Sequence, residues 1–207
     1  MKLTETALVE VLAAIRSPNP TPGGGSASAI AGALGASLLA MVAAMSGHRA
    51  ASDEDANRLQ AAGWLCTEIS ERLTDLIDQD SEAYDLVVAA YRLPRLSDEE
   101  RTARSAAIQK ALIGAVDAPL PVMRRSAEAV ENAAIVAAFG NRNAASDVGV
   151  ALELLAAAQR GAKLNVDINL VSIKDADYAR RVREDANTLA AGCETGITVA
   201  RARLAET

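Results

Sequence analysis

A chain of 207 residues, half of them hydrophobic, can bury one sizeable core, and nothing in this one reads as a linker between domains, so residues 1–207 are expected to form a single domain. A formal net charge of −6 argues against a nucleic-acid partner, which needs a basic face, and five aromatic residues are too few for a base-stacking platform.

The opening segment, MKLTETALVEVLAAIRS, has Glu5 and Glu10 interrupting its apolar positions, so it reads as an amphipathic helix over about residues 4–15 and not as a secretion signal. Residues 20–47, PTPGGGSASAIAGALGASLLAMVAAMSG, follow and contain no charge. After the glycines this stretch is predicted to be one helix. Ser28, Gly32, Ala36, Ala40 and Ala44 recur every four residues and make a flat face that lets another helix backbone approach closely. Ile30, Leu34, Leu38, Met41 and Met45 lie on another side and are expected to supply bulk to the core. With no polar face, the helix is expected to be buried all round. Its length would span a bilayer. Its Ala, Gly and Ser content, its prolines and the lack of aromatic or basic anchors favour the centre of a soluble protein instead.

Ser52, followed by Asp53, Glu54 and Asp55, marks a helix start, since an oxygen cap and acids suit the free N–H groups there; this helix reaches Leu93, ahead of Pro94. Its apolar stripe is Ile69, Leu73, Leu76, Ile77, Tyr84, Val87, Val88 and Tyr91. Ser97-Asp98-Glu99-Glu100 is a capping box for a helix ending at Val116. Pro119 and Pro121 open the next, which stops at Phe139 with Gly140 behind it. Another helix starts at Ser146-Asp147 and runs to about residue 162. KLNVDINLVSI then has a near-alternating, β-branched pattern, but a lone strand would have no partner, so it too is predicted helical. A last helix begins near Asp175 or Asp177. The expected fold is all-α, a single-domain bundle of seven to nine helices, some long, around a buried Ala/Gly-rich central helix.

Asp80 is anomalous by arithmetic, because three residues on from Ile77 and four back from Tyr84 place a carboxylate on the apolar stripe. A buried carboxylate must be paired, hydrogen-bonded or protonated, so it either holds a structural partner or does chemistry. Thr21-Pro22-Gly23-Gly24-Gly25-Ser26 is a glycine turn at a helix start, where free N–H groups can hold an anion or a carbonyl oxygen, or which serves only as a tight entry turn. Gly140, Asn141, Asn143, Ser146 and Asp147, with Asn165 and Asn169 further on, offer donors and acceptors suited to a heteroaromatic edge. Capping explains Ser146 or Asp147 equally well, though not Asn169 inside an apolar run. His48, the single histidine, reads as a polar helix end. Cys66 and Cys193, without a CxxC or a partnering His, read as buried thiols of a cytoplasmic protein. No GxSxG, HExxH or GxGxxG is present, and no metal site is expected.

Three segments, PTPGGGSASAIAGALGASLLAMV, DQDSEAYDLVVAAYRLP and GNRNAASDVGVALELLAAAQRGAKLNVDINL, resemble in order and spacing the cyclodeaminase/cyclohydrolase family of folate enzymes, over essentially the whole chain. The family comprises the C-terminal domain of formiminotransferase-cyclodeaminase and the stand-alone methenyltetrahydrofolate cyclohydrolases. The resemblance implies an all-helical fold, a homodimer, and a folate site near the subunit contact. The second acid of its D-x-D-x-E-A-[FY] segment is catalytic, which here is Asp80. Its G-N-x-N-x-x-S-D and N-V-x-I-N segments correspond to Gly140, Asn141, Asn143, Ser146, Asp147, Asn165 and Asn169. With Pro22, Gly23, Gly24, Gly25, Ser26 and Tyr84, the residues Asn141, Asn143, Ser146, Asp147, Asn165 and Asn169 are the expected substrate-binding set. After the central helix this chain has Gly47-His48-Arg49-Ala50-Ala51 where the family pattern has a basic pair followed by an aromatic.

The resemblance implies one of two reactions at a carbon bridging N5 and N10 of tetrahydrofolate. One is hydrolysis of 5,10-methenyltetrahydrofolate to 10-formyltetrahydrofolate. The other is closure of 5-formiminotetrahydrofolate with loss of ammonia. The first is favoured because no formiminotransferase domain accompanies the chain. Asp80 is the expected general base and electrostatic stabiliser, its pKa raised by burial and countered by the cationic substrate. No metal or cofactor is expected beyond the tetrahydrofolate substrate, and no membrane or nucleic-acid partner. Arg142, Arg160 and Lys163 are candidate contacts for a glutamate tail, or a solvated helix face. From another class, a non-catalytic helical dimerisation module would bind no folate and tolerate loss of Asp80.

Overall fold

The computed structural model describes residues 2–206 and contains, among them, seven α-helices and no strand. A 3-10 turn, Leu3–Glu5, precedes α1 (Leu8–Arg16), α2 (Gly24–Ala44), α3 (Asp53–Tyr91), α4 (Asp98–Asp117), α5 (Leu120–Phe139), α6 (Ala145–Leu170) and α7 (Ala176–Ala205). The helix starts follow their caps. Ser52 Oγ accepts from the Asp55 N–H at 3.1 Å. Ser97 and Glu100 complete a reciprocal capping box, and Asp175 caps α7 by accepting from the Tyr178 N–H at 2.9 Å.

α2 is the axis of the bundle, with α3, α5 and α6 packed against it. It is also the one helix among the described residues long and apolar enough to cross a membrane by composition. Its small residues let α6 come close: a Cβ on Gly35 would sit 2.8 Å from Leu155 Cγ and 3.0 Å from the Ala151 carbonyl oxygen. Gly35→Ala therefore forces the two helices apart. The variant should lose about 1–3 kcal/mol, partly offset by about 1 kcal/mol of gained helix propensity, and urea unfolding should show a lowered midpoint. An unchanged or raised midpoint would mean that α2 and α6 separate freely.

The expectation that α2 is buried on all sides is corrected. Leu39 and Val42 are fully buried beside the small-residue face, whereas Leu34, Met41 and Met45 are 53%, 44% and 38% exposed. The physical reason is that the flat side brings backbones closest and so captures the neighbouring helices. The bulky stripe is left facing outward, and its last residue, Met45, lines a hollow together with the exposed Trp64 of α3. The stripe of α3 also changes character: Leu73, Leu76 and Ile77 are buried, while Tyr84 and Tyr91 are exposed. Beyond Ile77 that face borders a cavity and a second, smaller apolar cluster with α4 around Ala90, Ile108 and Leu112.

At the N-terminus, helix begins only at Leu8 and not near residue 4, because Asp78 captures the preceding turn. It accepts from the Leu3 N–H at 2.7 Å and from Thr4 Oγ1 at 2.9 Å. The KLNVDINLVSI segment is helical through Leu170, continuous with residues 145–162 as a single helix. Cys66 and Cys193 are free and buried, and burial pushes their thiols up to about 12 and about 11.

Candidate active site

Where the first turn of α2 meets the middle of α3, a cavity of about 210 Å³ opens, closed on its far side by α4 and α6. Asp80 lies on its wall, two-thirds of the way along α3, and its carboxylate sits directly over the first turn of α2. A Cβ on Gly25 would fall 2.0 Å from Asp80 Oδ1 and 2.2 Å from its Cγ, so only glycine lets the acid reach this position. The Ser26 backbone N–H lies beside the carboxylate and favours its charged form. Removal from water is the dominant influence and raises the Asp80 pKa above its ordinary value of 3.8, with the Ser26 N–H pulling it part of the way back. Among the described residues no cation pairs with Asp80. It is thus a carboxylate kept half-dry and supported by a helix start, not neutralised by an arginine.

The neighbouring positions divide by role. Gly23, Gly24, Tyr84, Asn165 and Asn169 line the same cavity. Asn165 lies against Gly24, with Nδ2 3.4 Å from where a Cβ would be. Its Nδ2 donates to the Gly161 carbonyl at 2.9 Å, and no hydrogen bond among the described residues engages its Oδ1. Asn169 donates to the Ala115 carbonyl at 2.7 Å and so fixes the end of α4 beside the cavity. Ser26 turns inward: its side chain is fully buried and donates to the Ile77 carbonyl at 2.7 Å, tying α2 to α3. Pro22 belongs to the entry turn, whose Thr21–Pro22 peptide is cis, but the cavity wall there is made by Pro20 and Thr21.

Asn141, Asn143, Ser146 and Asp147 are elsewhere. Asp147 is in the first turn of α6 and Asn165 near its end, about 27 Å apart at 1.5 Å per residue. At that opposite end Asn141 Nδ2 donates to the Ser46 carbonyl at 2.6 Å, Asn141 Oδ1 accepts from the Asn143 N–H at 2.9 Å, and Asn141 lies against Gly47, whose φ of +75° suits glycine. This turn clamps the α2–α3 connection and does not meet Asp80 within one chain. Arg49, in the segment that departs from the family pattern, closes the C-terminal end of α5. Its Nε and Nη2 donate to the carbonyls of Gly140 and Ala137, and its N–H to that of Phe139. Arg160 and Lys163 are taken by Glu194 and Asp167, and Arg142 is exposed at the far end.

Sequence reasoning passed over Ala83, Val87, Leu112 and Ala115, the apolar part of the lining. Ala83 and Val87 stand three and seven residues beyond Asp80 and share its face, a signal that was available. Leu112 and Ala115 reach the cavity only through the docking of α4, which no local pattern announces.

The methenyltetrahydrofolate cyclohydrolase of Methylorubrum extorquens is 41% identical over 172 residues, 82% of each chain. The formimidoyltransferase-cyclodeaminase of Rattus norvegicus is 33% identical over 81% of this chain but only 31% of its own length. The solved structure of formiminotetrahydrofolate cyclodeaminase from Thermotoga maritima superposes with a TM-score of 0.85 at 28% identity, covering 98% of this chain and 97% of that one. The model of the formiminotransferase-cyclodeaminase family matches residues 7–188, so the match takes in α1 to α6, the acid of α3 and both asparagines of α6. A family match over residues 7–188 and a relative 41% identical over 82% of both chains show that the chain belongs to the formiminotransferase-cyclodeaminase family.

Proposed function

We propose that this chain is a methenyltetrahydrofolate cyclohydrolase, which adds water to 5,10-methenyltetrahydrofolate and releases 10-formyltetrahydrofolate. The observation that carries the chemistry is Asp80, a half-buried carboxylate without a cationic partner, facing a cavity with two asparagine side chains. The choice between the two family reactions is supported by the Methylorubrum relative, matched over 82% of both chains. The Thermotoga neighbour supports ring closure with loss of ammonia as the second reading.

The residues divide the work as follows. The methenyl carbon bridging N5 and N10 is cationic, so the Asp80 carboxylate attracts and stabilises it. Asp80 takes a proton from the attacking water as the C–O bond forms. As the bond from that carbon to N5 breaks, N5 takes up a proton, and one proton leaves to solvent. A single carboxylate can serve both transfers. The Asn165 carbonyl oxygen and the Tyr84 ring wall hold the pterin edge and face, and Gly23 and Gly24 let the ring lie close to backbone. Neither transfer requires a metal or bound cofactor. The exposed apolar stripe of Leu34, Met41 and Met45, together with Trp64 of α3, supports a homodimer formed through α2 and α3. The free buried thiols are in keeping with a soluble, cytoplasmic enzyme.

The test is loss of the ultraviolet absorbance of 5,10-methenyltetrahydrofolate in the presence of purified protein. Decay at the buffer rate would sink the cyclohydrolase, and ammonia release from 5-formiminotetrahydrofolate would then establish the second reading. The raised Asp80 pKa sets the pH profile. The base must be ionised, so kcat/KM should fall on the acid side along a limb centred above the usual carboxylate range. A limb at or below 3.8 would contradict the desolvated environment described above.

A further inference from the structure

The Asp80 cavity, at about 210 Å³, is below the roughly 300–1,000 Å³ typical of sites that enclose a whole drug-sized ligand, so it holds a bicyclic head and leaves the remainder of a folate outside. A second hollow of about 370 Å³ lies between α4 and the α6–α7 connection, with Tyr91 of α3 at its edge, and Leu112 forms a wall of both. From one hollow to the other the lining changes. Asp80, the asparagines and Val87 line the first hollow, Leu112 stands between the two, and the second carries Ile108, the polar Ser105, Gln109 and Ser172, and two cations, Arg104 and Lys174. From Asp80 to Tyr91 the path follows eleven residues of α3, about 16 Å of helix.

The two cations are not used up by carboxylates. Ten ion pairs are found among the described residues of this acidic chain, and neither Arg104 nor Lys174 takes part in one. Arg104 is held by stacking over the Tyr91 ring at 5.6 Å and by donation from Nη2 to the Tyr91 carbonyl at 3.0 Å, while its buried Nε has no hydrogen-bond partner. Lys174 Nζ reaches only the Ser105 hydroxyl, at 3.2 Å, and the Lys174 backbone is fixed by Gln109 at 2.9 Å. The acids nearby are engaged: Asp98 by Arg101, and Glu100 by its capping box. An orienting aromatic, an orphaned guanidinium nitrogen and an unpaired ammonium in a hollow that shares the Leu112 wall with the Asp80 cavity make a receptor for carboxylates attached to an aromatic ring.

We propose that the groove lined by Leu112, Arg104 and Lys174 carries the benzoyl-glutamate portion of the substrate, with Arg104 and Lys174 binding its glutamate carboxylates. This rests on the folate reading above and deepens it, since the polarity sequence from Asp80 through Leu112 to the cations is that of a folate: heterocycle, benzene ring, anionic tail. It also moves the tail site away from Arg160 and Lys163, whose charges are already paired.

The experiment compares 5,10-methenyltetrahydrofolate carrying five glutamates with 5,10-methenyltetrahydropteroate, which has none, for wild type, Arg104→Gln, Lys174→Gln and the double variant. The double variant should raise KM for the pentaglutamate by roughly tenfold while changing KM for the pteroate less than twofold, and Lys174→Arg should retain most of the wild-type preference. Wild-type preference for the tailed substrate should also shrink between low and high salt. Equal shifts for both substrates, or no shift for either, overturn the groove assignment while leaving the cyclohydrolase intact. Wild-type protein that turns over neither substrate overturns the function itself, and the tail site with it.

Discussion

Asp80→Asn should reduce kcat/KM for 5,10-methenyltetrahydrofolate by about 10²–10⁴-fold, the range for removal of a general base, while the protein remains folded. It should also be the more stable protein at neutral pH. Burial raises the Asp80 pKa in the folded state, so the fold prefers the protonated acid. That contribution to stability is fully present below the unfolded value near 3.8 and is lost as pH rises through the higher folded value. At pH 7 the ionised, half-buried group is a net cost that the neutral amide does not bear. Urea midpoints should therefore favour the variant at pH 7, and the gap should close as pH falls toward 4. A wild type equal or superior to the variant at pH 7 would show that the carboxylate is well solvated or secretly paired, and the chemistry assigned to it would lose its physical basis.

The second large effect is expected at a residue that cannot react. Gly25→Ala places a methyl 2.0 Å from Asp80 Oδ1, a contact no rotamer of alanine relieves, so either the carboxylate is displaced or the first turn of α2 tilts. Displacement of a catalytic group by about 1 Å costs on the order of 10²-fold in rate. Overpacking at a site this tight costs about 1–3 kcal/mol of stability. A double-mutant cycle separates the two. If the clash is with Asp80, the stability cost of Gly25→Ala should largely vanish in an Asp80→Ala background, whereas additive losses would place the strain elsewhere.

Much of the fold was legible because its signals are local. The caps at Ser52 and Ser97, the stops at Pro94 and Gly140 and the four-residue spacing of small residues each dictate a helix end or a face without reference to the remainder of the chain. Asp80 was legible for the same reason, since a charge on an apolar stripe is visible in one helix. What escaped depends on which helices meet. The bulky stripe of α2 looked like core because hydrophobicity says nothing about which side partners choose, and close backbone approach on the glycine side decided it. That the G-N-x-N-x-x-S-D turn lies apart from Asp80 within one chain was not legible either, because spacing does not reveal that α6 carries it to the other end of the molecule.

The seat of Asp80 has a bearing on motion. The acid rests on the opening turn of the helix against which α3, α5 and α6 are packed, so the reactive centre is fixed to the middle of the bundle and not to its margin. Warming or mild denaturant should find no soft hinge there. Whatever flexibility turnover demands must come from α4 and the peripheral loops, not from beneath the acid itself.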